Sequence, residues 1–436
     1  MVMVSTRGKD RCSLSDAIMK GLASDGGLFV PEKFPRKINF VDRLEAEEFE
    51  VFEKGAFYRS ALAILTPFFK DEEITKTELY YLVAKSFGFY CPNRGAWHNR
   101  NLFYLELYHG PTAAFKDFGA RFLANTMELI LKKRKQEVTI LVATSGDTGS
   151  AVASAFYKKE GIKVKILFPK GGVSERQKKL LTIWGENIES YEVDGTFDDC
   201  QRMVKEAFSD KEYSGKYNLT SANSINIGRL LPQMSYYVYG SLGFHRKYRK
   251  SATIIIPTGN VGNATAALYA KKMGAPIEKV VFAQNANRPI VDYLVDGVYK
   301  PRKSVKTYAN AMDVGAPSNM ERLLNLYPNF KSFKKDTEAY SVSDEEILET
   351  IKFTYGDERG KLICPHTATA KFIYDKYYRK DDKEAMVVAT ANPAKFETVI
   401  EKAIGIKPEL PKELMELLEK PEIYKNIGTS YKELFS

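Results

Sequence analysis

Apolar and polar positions fall into two textures that meet near residue 100. Residues 1 to about 97 read as mostly helical. Ser13-Leu14-Ser15-Asp16 offers an N-cap for a helix over Ala17 to Ala23, and Asp25-Gly26-Gly27 supplies a turn before Leu28-Phe29-Val30-Pro31. Two longer helices are predicted around Ala46 to Phe69 and Ile74 to Phe87. Nothing in this stretch suggests chemistry, so a structural cap is expected.

From Leu102 onward, short branched apolar runs alternate with turns and helical stretches. Val138 to Ala143, Lys163 to Phe168 and Ile188 to Val193 read as buried parallel strands. A helix over Ser150 to Lys159 lies between the first two, and Ser174-Glu175-Arg176-Gln177 has capping-box spacing for another. The pattern begins again at Thr253 to Pro257, continues through an Ala-rich helix from Ala264 to Met273, and reaches strands at Val280 to Ala283 and Ala385 to Ala389. Ser343-Asp344-Glu345-Glu346 caps a late helix, and the charged tail from Pro408 also reads as helical. This alternation predicts an α/β fold of two wound units. The expected borders are a helical cap over 1–97, a smaller α/β domain over 98–240 and a larger one over 241–436.

Two turns have the strand–turn–helix placement that lets backbone N–H groups meet an anion. Gly259-Asn260-Val261-Gly262-Asn263 is neither a P-loop nor a dinucleotide fingerprint, and its length suits one phosphate monoester. Ser145-Gly146-Asp147-Thr148-Gly149 suits a carboxylate. For the first a plain tight turn reads equally well, and for the second a βα turn with an Asp or Thr cap reads slightly better. Ser221 to Arg229 packs amide, hydroxyl and guanidinium groups together, with Asn226 and Arg229 on one face if a helix begins there. Arginine suits bidentate recognition of phosphate or carboxylate. A polar loop before a solvated helix is the alternative.

His109-Gly110-Pro111-Thr112-Ala113-Ala114-Phe115-Lys116-Asp117-Phe118-Gly119 places one lysine near the start of an apolar helical run, with Pro111 suited to the first turn. Burial and the positive end of a helix dipole both push such a lysine toward neutrality. A neutral amine can form a Schiff base with an aldehyde cofactor. A snorkelling surface lysine remains open on this stretch alone.

Composition narrows the partners. The 436 residues are 44% hydrophobic and 28% charged, as in ordinary globular chains of two or three domains. The net charge of +10 is scattered, and its densest runs, Lys132 to Lys135 and Arg246 to Lys250, fall where helices should end. No nucleic-acid partner is therefore expected. No apolar run approaches the roughly 20 residues that span a bilayer, and the first residues lack a signal-peptide core, so a cytoplasmic protein without a membrane partner is expected. Cys12, Cys91, Cys200 and Cys364 lie far apart, and with four scattered histidines they predict no metal site.

Several longer segments carry a resemblance. They are Asp25 to Pro31, Glu106 to Thr112 running into Ala114 to Asp117, Ala143 to Gly149, Ser221 to Asn226, Asn310-Ala311-Met312-Asp313-Val314-Gly315 and Asn392-Pro393-Ala394-Lys395-Phe396. Together they resemble the threonine synthases, pyridoxal-phosphate enzymes of the tryptophan-synthase-β-like fold (fold type II), over almost the whole chain. The lysine segment is shared with serine and threonine dehydratases and indicates fold and cofactor. The Ser221 and Asn310 segments are more specific. One departure is Asn392, where many relatives carry His.

The resemblance implies pyridoxal 5'-phosphate as cofactor, with Lys116 as its Schiff-base lysine and catalytic base. Gly259, Asn260, Val261, Gly262 and Asn263 would hold the cofactor phosphate, and Thr390 the pyridine nitrogen. Ser145, Gly146, Asp147 and Thr148 would receive the substrate carboxylate. Ser224, Asn226 and Arg229, with Lys170, would hold the substrate phosphate. The implied reaction turns O-phospho-L-homoserine and water into L-threonine and phosphate, in a monomer or homodimer. A phospholyase releasing 2-oxobutanoate is the second enzymatic reading. A dehydratase needs no substrate-phosphate cluster, and a non-catalytic phosphate- or nucleotide-binding protein needs no reactive lysine.

Overall fold

The structure is a computed structural model and describes residues 1–42, 54–144 and 146–436. Its frame is a pair of wound sheets. The larger runs, in spatial order, Thr337–Ser341, Ile277–Gln284, Ala252–Pro257, Ala385–Ala389, Leu102–Glu106 and Asn93–Gly95. All neighbours are parallel except the last pair. The smaller sheet is wholly parallel, in the order Lys425–Ile427, Ile188–Val193, Ile162–Pro169, Val138–Ala143 and Leu219–Thr220.

Side chains alternate across each sheet as a period of two requires. Ile254, Ile256, Met386 and Val388 join the main core, while Ile255, Val281 and Val387 pack on the opposite face with Tyr104, Ile351 and Ile373. Leu141, Leu167, Tyr191 and Met203 form the corresponding outer layer of the smaller sheet. Both faces of each sheet are thus covered, which is why the strand sequences read as continuous apolar runs.

The strands at Val138–Ala143, Ile188–Val193 and Ala385–Ala389 occupy the expected spans, and the capping boxes at Ser174 and Ser343 are formed. Several expectations need correction. Leu102–Glu106, expected in the smaller unit, pairs with Ala385–Ala389 in the larger sheet. Lys425–Ile427 returns from the far C-terminus to the smaller sheet, in a tail expected to be helical. The helix Met234–Tyr248 runs straight through position 240. Strand membership is set by long-range pairing, and local pattern carries no trace of it.

The N-terminal region is also less helical than expected. Val2–Ser5 pairs antiparallel with Arg11–Ser13 and with Phe29–Pro31. Strands of three or four residues hold too few positions for alternation to stand out. The helix at Leu14–Lys20 does start from Ser13, whose side chain accepts from Asp16 N. Of the helix expected over 46–69, Lys54–Leu65 is present with a 3-10 turn at Thr66–Phe68, and positions before 54 lie outside the described residues. The second forms at Lys76–Ser86.

Two positions in this frame matter for a ligand. Ala252–Pro257 has Ile277–Gln284 on one side and Ala385–Ala389 on the other, so strand order reverses there. Val138–Ala143 is the matching reversal in the smaller sheet, between Ile162–Pro169 and Leu219–Thr220. Crevices beyond the carboxyl ends of such strands are the usual ligand sites of open α/β sheets.

Candidate active site

A cavity of about 280 Å³ lies where the two reversal points meet. Its walls include Thr144, Asp147 and Thr148 from the smaller sheet, and Pro257 to Asn263 and Thr390 from the larger. Lys116, Ser224, Arg229 and His366 are among the other polar residues that line it.

Lys116 owes its place to a stitched loop. Leu107 N donates to Ala389 O at 2.9 Å and Phe115 N to Thr390 O at 2.8 Å, so residues 107–115 follow the end of a core strand. The buried Asp117 carboxylate accepts from Thr112 N at 2.9 Å and from its hydroxyl at 2.8 Å. That contact makes Gly110–Ala113 a turn, and the helix Lys116–Arg134 starts at the lysine, not at Pro111 as expected. Lys116 keeps surface toward the cavity, yet the surrounding protein takes its amine out of bulk water. Burial pushes its pKa down to about 8, against the pull of Asp147 and with the help of Lys395 and Arg229.

The turn after Ala252–Pro257 is closed from within by Asn263 and tied to distant segments through Asn260. Asn263 Oδ1 accepts from the Thr258 hydroxyl at 2.6 Å, and its Nδ2 donates to Pro257 O at 2.9 Å. Asn260 Nδ2 donates to Ser224 Oγ at 2.6 Å, while its Oδ1 accepts from Ser318 N at 2.6 Å. Both amides are therefore occupied, Asn263 within the turn and Asn260 with Ser224 and Ser318. What they leave to a ligand is the backbone N–H groups at the start of the helix Gly262–Lys272. Ser224 Oγ accepts from Asn260 and keeps its proton for another acceptor. Val261 sits in the left-handed region at φ 50°, an unfavourable conformation for a β-branched residue that is held by these contacts. Gly259 lies against Met312, whose Cα would stand 2.6 Å from an added Cβ.

The turn after Val138–Ala143 is tied by Thr144, whose hydroxyl accepts from Gly146 N at 3.1 Å and Gly149 N at 2.9 Å. Gly146 has φ 139°, open to glycine alone. Asp147 begins the helix Asp147–Phe156, with its Oδ1 2.6 Å from Lys395 Nζ. Burial opposes its ionisation, but Lys395 and Lys116 prevail and hold the carboxyl at about 2. Ser145 lies outside the described residues.

Arg229 is buried, with Nη1 donating to Ala222 O at 2.6 Å and Nε without a partner. Burial lowers its pKa to about 10, with Asp117 opposing, so it stays charged at neutral pH. The Thr390 hydroxyl is likewise buried without a partner. Unpaired buried donors are rare enough to ask for a ligand.

Two expected members are elsewhere. Lys170 is exposed, with Nζ 3.9 Å from Asp194, and does not line the cavity. Asn226 is fully buried and occupied: Nδ2 donates to Ile18 O and Ser221 O, both at 2.9 Å, and Oδ1 accepts from Gly228 N as a helix cap. Its residue type suited a ligand, but the short helix it caps takes Oδ1 and the carbonyls of Ile18 and Ser221 take Nδ2. Asn392 also caps, accepting from Ala394 N at 2.9 Å, and does not line the cavity.

Sequence reasoning assigned no role to His366 or Lys395. His366 Nε2 accepts from Ala311 N at 3.1 Å, leaving Nδ1 unpartnered, and burial pulls its pKa down to about 4. It is a neutral imidazole with its proton on Nδ1. Its segment had no signal beyond one histidine at the start of an apolar helix. Lys395 lay within a segment quoted for the resemblance, but its partner is 248 positions away, beyond reach of local pattern.

Comparison with known proteins identifies the family and the fold. A family described as "Pyridoxal-phosphate dependent enzyme" matches residues 79–391, and "Threonine synthase N terminus" and "Threonine synthase, C-terminal" match 3–87 and 367–434. The chain is 39% identical to a threonine synthase of Buchnera aphidicola, over 98% of this chain and 96% of the relative. The crystal structure of threonine synthase from Escherichia coli superposes with a TM-score of 0.88 at 36% identity, covering 100% of this chain and 98% of the other. A PLP-bound threonine synthase from Brucella melitensis gives 0.90 at 32% identity, with the same coverage.

Proposed function

The chain belongs to the threonine synthase family of pyridoxal-phosphate-dependent enzymes, and on that premise we propose how its cavity divides cofactor and substrate between the two turns. It is a pyridoxal-phosphate-dependent lyase that forms threonine. The residues present fit the cofactor: a desolvated amine, an unpartnered hydroxyl and a helix N-terminus line one cavity.

In this reading Lys116 tethers the cofactor and Thr390 Oγ1 meets its ring nitrogen. The backbone of Gly259 to Asn263 holds its phosphate. Thr390 offers the ring nitrogen a neutral hydroxyl that has no partner in the protein. When bound, the cofactor supplies an electron sink for charge developing beside the substrate amino group. Thr148 and the N–H groups after Gly146 take the α-carboxylate of O-phospho-L-homoserine. Arg229 and the Ser224 hydroxyl take its phosphate, two of the four residues expected there, without Lys170 or Asn226.

The convergence that carries the reading is Lys116 at a helix start between two anion-ready turns. With a pKa near 8 it can take and return a proton close to neutral pH. Lys116 removes the proton at substrate Cα and serves again at Cβ, phosphate leaves Cγ, and a proton returns to Cγ. Water then adds at Cβ, a proton returns to Cα, and the remaining proton leaves with the phosphate. Arg229 stabilises the departing dianion. We place the enzyme in the cytoplasm, a reading supported by four free cysteines.

The test is turnover of O-phospho-L-homoserine with product identification. L-Threonine and phosphate in equal amounts are expected. Release of 2-oxobutanoate alone would transfer the chain to the phospholyase reading.

A further inference from the structure

Asp147 is an awkward residue for the place it occupies. It lines the cavity in the turn assigned above to a carboxylate, and it is itself a buried carboxylate. An uncompensated acid there would repel the substrate it is meant to admit. The structure supplies the compensation from the other sheet. Lys395 Nζ lies 2.6 Å from Asp147 Oδ1 and donates to Thr112 O at 2.9 Å. Lysine and aspartate side chains are 2% and 4% exposed, so solvent does little to screen them.

Lys395 does not line the cavity itself and meets it through Asp147. It stands in the 3-10 turn Pro393–Phe396 that follows the larger sheet's core strand. That turn is held from the smaller unit by Arg176, which donates to Ala394 O at 2.5 Å and approaches Glu397 at 3.4 Å. The charged or titratable groups that act on Asp147 are Lys395, Lys116 and His366, and the imidazole is neutral.

We propose that Lys395 is a positioning residue that neutralises Asp147, so that the turn after Val138–Ala143 accepts a substrate carboxylate. This inference rests on the assignment of that turn to the carboxylate. Asp147 in turn keeps a negative charge near Lys116, which steadies the amine whenever it carries a proton. Lys395 cancels that charge toward the ligand without removing it. The bond to Thr112 O also joins the pair to the loop that places Lys116, because Thr112 is the residue Asp117 holds.

The experiment compares Lys395→Met, Asp147→Asn and the double variant in the holoenzyme. KM for O-phospho-L-homoserine is expected to rise about tenfold in Lys395→Met and to return within about threefold of wild type in the double variant. Asp147→Asn alone, which leaves the turn more positive, is expected not to raise KM. Dissociation constants of the apo-proteins for pyridoxal phosphate should stay within about threefold of one another. A double variant no better than Lys395→Met, an Asp147→Asn variant whose KM rises as far, or a parallel loss of cofactor affinity in all three overturns the proposal. The underlying assignment has its own readout, the binding of L-threonine and L-threonine carboxamide to wild type. Equal affinity for the two overturns the assignment of the turn, and a preference for the acid with no charge rescue overturns only the role of Lys395.

Discussion

The turns after Ala252–Pro257 and Val138–Ala143 hold equivalent places in two parallel sheets, yet they are built to different rules. The first is braced by side chains from distant segments: Asn260 reaches Ser224 and Ser318, and Asn319 Nδ2 donates to Asn260 O at 3.1 Å. Arg322, fully buried, ties the same region together by donating to Asn319 Oδ1, Ser224 O, Ile225 O and Phe29 O. The second turn is braced by its own Thr144, and its described link to the larger unit is the Asp147–Lys395 pair. A turn fixed from several sides suits a resident group, whose site pays once for its order. A turn fixed locally, with a charge pair across the cleft, suits a ligand that comes and goes.

The largest effect should fall between the two turns. Lys116→Ala removes the one residue that the proposed mechanism uses from both sides. Threonine formation is expected to drop by at least about 10³-fold. The check is single-turnover product release from O-phospho-L-homoserine, together with loss of the absorbance band that added pyridoxal phosphate gives with wild type. Wild-type-like turnover in this variant would end the enzymatic reading outright.

A matched pair of glycine changes separates the turns themselves. Gly259→Ala drives a methyl into Met312, with Cα at 2.6 Å and O at 2.9 Å, and both are backbone atoms that cannot swing aside. Its expected signature is cofactor affinity weakened by about 10- to 100-fold. Gly146→Ala instead meets the end of the Gln177 side chain at 2.5 Å and a disfavoured φ of 139°. A rise in substrate KM with a smaller change in cofactor affinity is expected. If Gly146→Ala releases cofactor as readily as Gly259→Ala, the division of labour is wrong.

How far the sequence foretold these differences depends on the range of the contact involved. Both turns were legible, because a strand, a glycine-bearing turn and a helix follow one another locally. Lys116 was legible as a residue at a helix start, although Asp117 and Thr112 moved that start past Pro111. Asn226 suits a ligand and a helix cap equally, and it is its bonds to Gly228 N, Ser221 O and the distant Ile18 O that leave it nothing for a ligand. Lys170 fell by similar logic, being a cation beside a strand end that turns outward toward Asp194. His366, Lys395 and Arg322 act through partners dozens to hundreds of positions away, and no periodicity encodes such pairings. The sheet exchange of Leu102–Glu106 belongs to the same class of fact.

A smaller effect tests the wall behind the first turn. Thr390→Val keeps the shape of the side chain and removes a hydroxyl that has no protein partner. Losing an unpaired buried group costs little, so the apo-protein should melt within about 1 kcal/mol of wild type, or above it. The cofactor's absorbance and the rate of threonine formation should change all the same. A large loss of apo-protein stability would show that the hydroxyl serves the fold and not a ligand.

A last effect, silent in turnover and read only in stability, concerns Lys116 in the apo-protein, and it isolates the strain that the site places on its own base. The folded pKa is near 8, below the 10.5 of a free lysine, chiefly because burial penalises the charged form. Below pH 8 both states carry the proton, and the folded state bears the full desolvation penalty. Between about 8 and 10.5 the folded lysine sheds its proton while the unfolded one retains it, so the unfolded state binds more protons and stability rises with pH. Above 10.5 both are neutral and the contribution levels off. Lys116→Met removes this titration. The difference in melting temperature between Lys116→Met and wild-type apo-proteins, recorded at steps from pH 7 to 11, should favour the methionine variant most at the acid end and narrow as pH climbs. A difference that stays flat across that window would mean the amine is solvated in the folded protein, and the site would lose the feature that most distinguishes it from the two turns on either side.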